Sequence, residues 1–255
     1  MLRETLMNAV ISGAAILKEN FNTSFIIKNK EGINNLVTEI DHACEKAIIQ
    51  TIQKQFPTHQ VLSEEYGNIE GDSKYKWIID PIDGTVNFAH NIPICCVSIA
   101  LEKNGEVIMG AVLNPLINEF FFAEKNKGAF LNDKLIHVSS NTEISKSCLA
   151  TGFPYHYLEQ KNGPLDVFNA LIRQGIPVRR LGSAAIDLCY VACGRFDGFY
   201  EHSLQPWDTA AGFLIVEEAG GKVTNLLGKP YTPYQGGLIA TNGKIHTQLL
   251  KYICK

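Results

Sequence analysis

The sequence predicts a layered α/β sandwich, α+β in overall class, with an antiparallel sheet in its first half and a mixed α/β second half. Three observations lead there. Two amphipathic helical repeats precede Pro57; a central series of strand-length runs is apolar on both faces; and from about Ser147 strand-length and helix-length segments alternate. The 255 residues, 45% hydrophobic and 19% charged, suffice for one large domain or two closely packed halves. No composition break, flexible linker or internal repeat divides them. The chain therefore reads as one unit, 1–255, with approximate halves 1–146 and 147–255.

In chain order, Leu2, Leu6, Ala9, Val10, Gly13, Ala14 and Leu17 recur at helical spacing and give a first helix to about Glu19. A second begins after Thr38, which stands at capping-box spacing from Asp41. Cys44, Ala47, Ile48 and Ile52 form its buried stripe, and Pro57 stops it. The short apolar Val61-Leu62 ends in Ser63-Glu64-Glu65. Trp77-Ile78-Ile79 reads as a buried strand halted at Asp80-Pro81, where proline removes a ladder donor. Cys95–Leu101 and Val107–Leu113 flank Asn104-Gly105, a hairpin signal, and Phe120–Ala123 follows Asn114-Pro115. Strands apolar on both faces need helices on both sides.

In the second half, Cys148-Leu149-Ala150 is a short buried strand and Pro164–Gln174 a helix. Ala184–Cys193 is a further helix ended by Gly194, and Phe196–Glu201 a strand. Pro206–Ala219 is a helix with proline at its start and Gly220-Gly221 past its end. Leu238-Ile239-Ala240 is the last strand, before a C-terminal helix.

Composition excludes several classes. A net charge of −3 and the lack of a long Lys/Arg run give no sign of a nucleic-acid surface. No apolar run reaches membrane-spanning length. The start, Met1–Leu6, reads as amphipathic helix rather than signal peptide. The seven cysteines form no C-x-x-C pair and lie mostly among apolar neighbours, as reduced core residues do. A reducing cytoplasm is the expected compartment.

The chemistry concentrates in Asp80-Pro81-Ile82-Asp83-Gly84-Thr85. Two carboxylates suited to hard cations sit beside a tight turn whose amides, opening a helix, are free for an anion. Glu64 ends another strand, and Asp208, in Pro206-Trp207-Asp208, falls in a helix's first turn beside an aromatic expected to be buried. Each residue alone has a plain structural reading: turn, solvated acid, cap. Converged, four like charges repel unless metal ions neutralise them, and all-oxygen ligation selects Mg²⁺ over zinc. Metals bridging a phosphate oxygen and a water would support in-line displacement.

These stretches resemble the inositol monophosphatase family of lithium-sensitive, Mg²⁺-dependent phosphomonoesterases. The match runs through Asn35–Asp41, Ser63-Glu64-Glu65, Trp77–Phe88, Gly182-Ser183-Ala184-Ala185 and Pro206–Gly212. The resemblance implies an αβαβα sandwich of the sugar-phosphatase type and two to three Mg²⁺ ions. Glu64, Asp80 and the Ile82 carbonyl would hold one ion, Asp80, Asp83 and Asp208 a second, and Glu64 would help hold a weaker third, with Lys30 nearby. Thr85 with Asp41, aided by Glu64, would position the attacking water. The Gly84 and Thr85 amides would grip the phosphate. Asp83, the Gly182-Ser183-Ala184 turn and Glu201 would contact the alcohol, beside Asp208.

The implied substrate is a small phosphomonoester of a cyclic polyol, foremost myo-inositol 1-phosphate, and the implied assembly a homodimer. Fructose-1,6-bisphosphatase, histidinol-phosphate phosphatase and phosphoadenosine-nucleotide phosphatase are rivals on the same scaffold. A regulatory protein bound to RNA or RNA polymerase is the rival of another class, against which the charge gives nucleic acid no support. Val86-Asn87-Phe88 after the Asp-Gly-Thr favours the inositol branch over the Lys-Glu-Phe of the phosphoadenosine branch. Asn35 departs from the Asp of many relatives, and Glu201–Gln205 is the least typical stretch. Arg179-Arg180 read as surface or subunit-contact residues, with a second-phosphate contact as the alternative.

Overall fold

The first helix, α1 (Leu2–Asn20), buries the apolar face its spacing marks, with Leu6, Val10 and Leu17 fully inaccessible. In this computed structural model residues 1–29, 36–154 and 163–254 are described, which leaves Lys30 and Asn35 outside. A small antiparallel pair, β1 (Ile27–Asn29) and β2 (Leu36–Thr38), leads into α2 (Glu39–Gln55). The capping box forms as the spacing requires: the Thr38 hydroxyl accepts from the Ile40 and Asp41 amides, and Asp41 Oδ2 accepts from the Thr38 amide at 2.8 Å. Ile49 joins the buried stripe, whereas Ala47 is only half-buried.

The first sheet has eight strands. They are β3 (Gln60–Ser63), β4 (Gly67–Ile69), β5 (Tyr75–Asp83), β6 (Cys96–Lys103), β7 (Glu106–Asn114), β8 (Glu119–Glu124), β9 (Ala129–Leu131) and β10 (Lys134–Leu135). Their order is β10-β9-β8-β7-β6-β5-β3-β4. The sheet is antiparallel except for β3, which runs parallel to β5. The Asn104-Gly105 hairpin is present, with φ of 52° and 83°, the left-handed values a tight two-residue turn demands.

Pro81 does not end its strand. β5 continues to Asp83, which pairs with Cys96, and the register shifts between Asp80 and Asp83. The missing proline N–H therefore falls in the irregular stretch of the ladder, where it breaks no regular bond. The five-residue α3 (Thr85–Ala89) follows at once.

After β11 (Leu149–Thr151), α4 (Pro164–Arg173) and β12 (Val178–Arg179) lead to α5 (Ala184–Ala192) and β13 (Gly198–Glu201). Then come α6 (Pro206–Glu218), β14 (Lys222–Asn225), β15 (Leu238–Thr241) and α7 (His246–Ile253). The second sheet, β12-β11-β13-β15-β14, is parallel across β12, β11 and β13 and antiparallel beyond. The alternating pattern did not mark β14.

Three apolar clusters define five layers, αβαβα. One lies between α1/α2 and the first sheet, one around α5 and α6 between the two sheets, and one between the second sheet and α4/α7. The central helix α6 carries apolar residues nearly all round, as a helix packed between two sheets must. Trp207 at its start is half-buried rather than buried. The seven thiols are unpaired, and Cys254 is exposed rather than in the core. Among the described residues no helix is long and apolar enough to cross a membrane.

Candidate active site

Gly84 sets the corner on which the site is built. Its φ of 95° turns the chain from β5 into α3, and a Cβ there would lie 2.8 Å from the Ile94 carbonyl oxygen, so the turn admits only glycine. The first amides of a helix have no intrahelical acceptor and face outward from this corner. Asn87 fixes the turn from behind, donating from Nδ2 to the Ile94 and Leu181 carbonyls, both at 2.8 Å. It thereby ties α3 to the segment that carries Gly182.

A cavity of about 150 Å³ opens beside this corner. Glu64, Asp80, Ile82, Asp83, Gly84, Thr85, Gly182, Ser183, Ala184, Glu201 and Asp208, all singled out from sequence, line it together. Each aspartate commits one oxygen to the protein. Asp80 Oδ1 accepts from the Ile82 amide at 3.0 Å, and Asp208 Oδ2 from the Gln205 amide at 2.7 Å. Asp83 Oδ2 accepts from the Ser183 hydroxyl and the Ala185 amide, both at 2.7 Å, which joins the two halves of the chain.

Asp41, fully buried, reaches the cavity through Thr85, whose hydroxyl stands 3.1 Å from Asp41 Oδ1 and 2.9 Å from the Ile82 carbonyl. The hydroxyl has one proton for two acceptors. Donation to Asp41 leaves its lone pairs to accept from a water. Asp41 thus caps α2 with one oxygen and orients Thr85 with the other.

The electrostatics are those of crowded acids. Among the described residues, six carboxylates and one guanidinium, that of Arg180, line the cavity. Burial first, then Glu64, Asp83 and Asp208, hold Asp80 well above the usual carboxylate range. Burial and then Asp83 raise Asp208. Asp83 is pushed to about 6 by burial, against the lowering effect of its Ser183 and Ala185 bonds. Burial and then Asp83 push Glu201 up to about 8, with Arg180 opposing. Asp41 rises to about 6, again through burial first.

This donor set fits a hard cation. It is all oxygen among the described residues, with neither imidazole nor thiolate on the wall, and its mutual repulsion is what a divalent ion would relieve. Among the described residues, no three acidic, imidazole or thiol side chains already close on one point. Mg²⁺ keeps several waters among its ligands, so side chains that share one cavity wall can hold it in part through those waters. Cys95 and Cys96 lie just behind, but burial raises Cys95 to about 12 and Cys96 well above its ordinary value, so neither is a nucleophile.

Gly152, Phe153, Asp187 and Glu45 escaped the sequence reading, and Arg180 was read first as a surface residue. Arg180 faces the cavity instead of serving only the surface. Gly152 and Asp187 also line it. Glu45, fully buried on α2 one turn beyond Asp41, accepts from the Glu65 and Tyr66 amides at 3.2 and 3.3 Å, and so anchors the turn carrying Glu64. An acid four residues after Asp41 was the available signal. Glu45→Ala leaves two part-buried amides without their acceptor and should cost about 1 kcal/mol. Thermal melts should show the loss, and Mg²⁺ titration should show weakened binding as the Glu64 turn loosens.

Fold and site together define a class: a two-sheet α/β protein with an acid-lined cavity at the strand-to-helix corner, whose fold is that of solved inositol monophosphatases. The inositol monophosphatase family pattern matches residues 1–255. Nus factor SuhB of Haemophilus influenzae is 42% identical over 255 residues, covering 99% of this chain and 95% of that one. Inositol-1-monophosphatase of Synechocystis sp. is 41% identical over 247 residues, covering 96% and 86%. The crystal structure of extragenic suppressor protein suhB from Bartonella henselae superposes with a TM-score of 0.94 at 36% identity, covering 100% and 98%. The chain belongs to the inositol monophosphatase family.

Proposed function

We propose that the protein hydrolyses a phosphomonoester of a cyclic polyol, with myo-inositol 1-phosphate the leading substrate, in the presence of two to three Mg²⁺ ions. The observation that carries this reading is the convergence of Glu64, Asp80, Asp83 and Asp208 on one cavity beside the hydrogen-bonded Thr85–Asp41 pair. The name of the Synechocystis relative supports the substrate. Glu64, Asp80 and the Ile82 carbonyl would hold one ion, Asp80, Asp83 and Asp208 another, and Glu64 would contribute to a third. Bound Mg²⁺ would supply charge neutralisation at the phosphate and a more acidic water.

The chain's own groups do the rest. Thr85, donating to Asp41, accepts a hydrogen bond from the attacking water and fixes its direction, with Glu64 close by. As the water oxygen bonds to phosphorus it gives up a proton to the nearby Glu64, the ester P–O bond breaks, and the departing alkoxide takes a proton from a second water to become the alcohol. The Gly84 and Thr85 amides hold phosphate oxygens. Asp83, the Gly182-Ser183-Ala184 turn and Glu201 hold the alcohol. The two halves act as one unit, and a cytoplasmic homodimer is the working form we infer. The name Nus factor SuhB, borne by a relative 42% identical, supports a second, regulatory role alongside hydrolysis.

The test is phosphate release from inositol 1-phosphate, fructose 1,6-bisphosphate, histidinol phosphate and a phosphoadenosine nucleotide, with and without Mg²⁺ and Li⁺. Inositol 1-phosphate should give the highest kcat/KM, with release dependent on Mg²⁺ and inhibited by Li⁺. Preference for a bisphosphate or nucleotide would overturn the substrate.

A further inference from the structure

Asp187 is left over when the cations, the water and the phosphate have been assigned their residues. It lies one turn into α5 after Ser183, is 1% exposed, and lines the cavity. Among the described residues its Oδ1 has no hydrogen-bond partner. A buried acceptor left bare is unfavourable, and the residue that carries it borders the cavity.

Glu201 is its acidic neighbour there, and the two repel while Arg180 moderates both. The backbone makes room for this group of charges. A Cβ on Gly152 would lie 2.1 Å from Glu201 Oε2, so only glycine at 152 lets the Glu201 carboxylate occupy its place. Phe153 and Leu204 add apolar wall nearby. Acceptors grouped with one cation and flanked by apolar side chains match an alcohol ring with several hydroxyls on its edge and C–H groups on its faces. They do not match a second phosphate dianion, which brings only acceptors to a wall made mostly of acceptors.

We propose that Asp187 is a specificity-determining residue: with Glu201 it accepts hydrogen bonds from hydroxyls of the substrate's alcohol, so that the site selects phosphate esters of polyhydroxylated alcohols over esters without a free hydroxyl. This rests on the phosphomonoesterase reading of the cavity. An acid in a helix's first turn also favours the helix electrostatically, and that role alone would not distinguish one substrate from another.

The experiment measures kcat and KM for myo-inositol 1-phosphate and for ethyl phosphate, in Mg²⁺, with the unaltered protein, Asp187→Asn and Asp187→Leu. Asp187→Leu should raise KM for the inositol ester about tenfold or more and leave kcat/KM for ethyl phosphate within about twofold. Asp187→Asn, nearly isosteric and still able to accept, should fall between and hold the result if the leucine variant does not fold. Equal losses on both esters, or an unchanged KM for the inositol ester in both variants, would overturn the proposal while leaving the phosphatase reading standing. If the unaltered protein releases phosphate from neither ester, the phosphatase reading falls and this inference with it.

Discussion

Asp83→Asn should abolish turnover, lowering kcat by on the order of 10³-fold or more, and leave the fold intact. The asymmetry of the two oxygens explains both halves of the expectation. Oδ2 is held by the Ser183 hydroxyl and the Ala185 amide, and the asparagine carbonyl can accept the same two bonds. The substitution then replaces the other oxygen with an NH₂, which cannot meet a cation. Folding loses nothing comparable, because ionising Asp83 is already opposed by burial and by Glu64. The metal-free variant should melt at or above the temperature of the unaltered protein. Phosphate release assayed in Mg²⁺, with a thermal melt alongside, checks both; near-normal turnover would refute the role given to Asp83.

The metal-free protein should lose stability as pH rises from 6.5 to 8, and Mg²⁺ should restore it most at the upper end. The sign follows from proton binding. Glu201 is raised to about 8, and Asp80, Asp187 and Asp208 are raised well above the ordinary carboxylate. In this window the folded protein holds protons that the unfolded chain has released, so unfolding becomes easier as pH climbs. That contribution is complete below the unfolded carboxylate range and gone once pH passes the folded pKa.

The buried histidines His59, His202 and His246, all lowered, slope the other way, but mainly below their unfolded pKa near 6.5. At 6.5 their opposing slope is already halved, and above about 7.5 it is gone, so the acids set the sign across the upper part of the window. Glu201 alone accounts for about 1–2 kcal/mol over the window, and with the other acids the midpoint should fall by roughly 5–10 °C. A flat profile in chelator, or an Mg²⁺ shift equal at both ends, would contradict it.

The parts legible in the sequence were those whose reasons are local. The Asp80–Thr85 corner carries its carboxylates, turn and amides in one stretch. Glu64 and Asp208 stand at element ends, where acids collect, and the Thr38–Asp41 box announces itself by spacing. The Asn104-Gly105 hairpin and the apolar repeats of α1 and α2 were equally plain. What stayed hidden depends on distant partners. Gly152 is glycine because of Glu201, and nothing beside it in the chain says so. Asp187 looks like any first-turn acid until the cavity is seen around it. Arg180 looks like surface until the turn at Gly182, with φ of 88°, places it at the cavity. Pro81 misled for the opposite reason: its local rule is sound, but the irregular register across from β6 removes the bond it would have broken.

Anomalous diffraction from crystals grown with Mn²⁺ in place of Mg²⁺ tests the central claim most directly. The account predicts at least two peaks in the cavity, one bonded by Glu64, Asp80 and the Ile82 carbonyl, the other by Asp80, Asp83 and Asp208. An empty cavity at saturating Mn²⁺, or ions bonded by other residues, would contradict it.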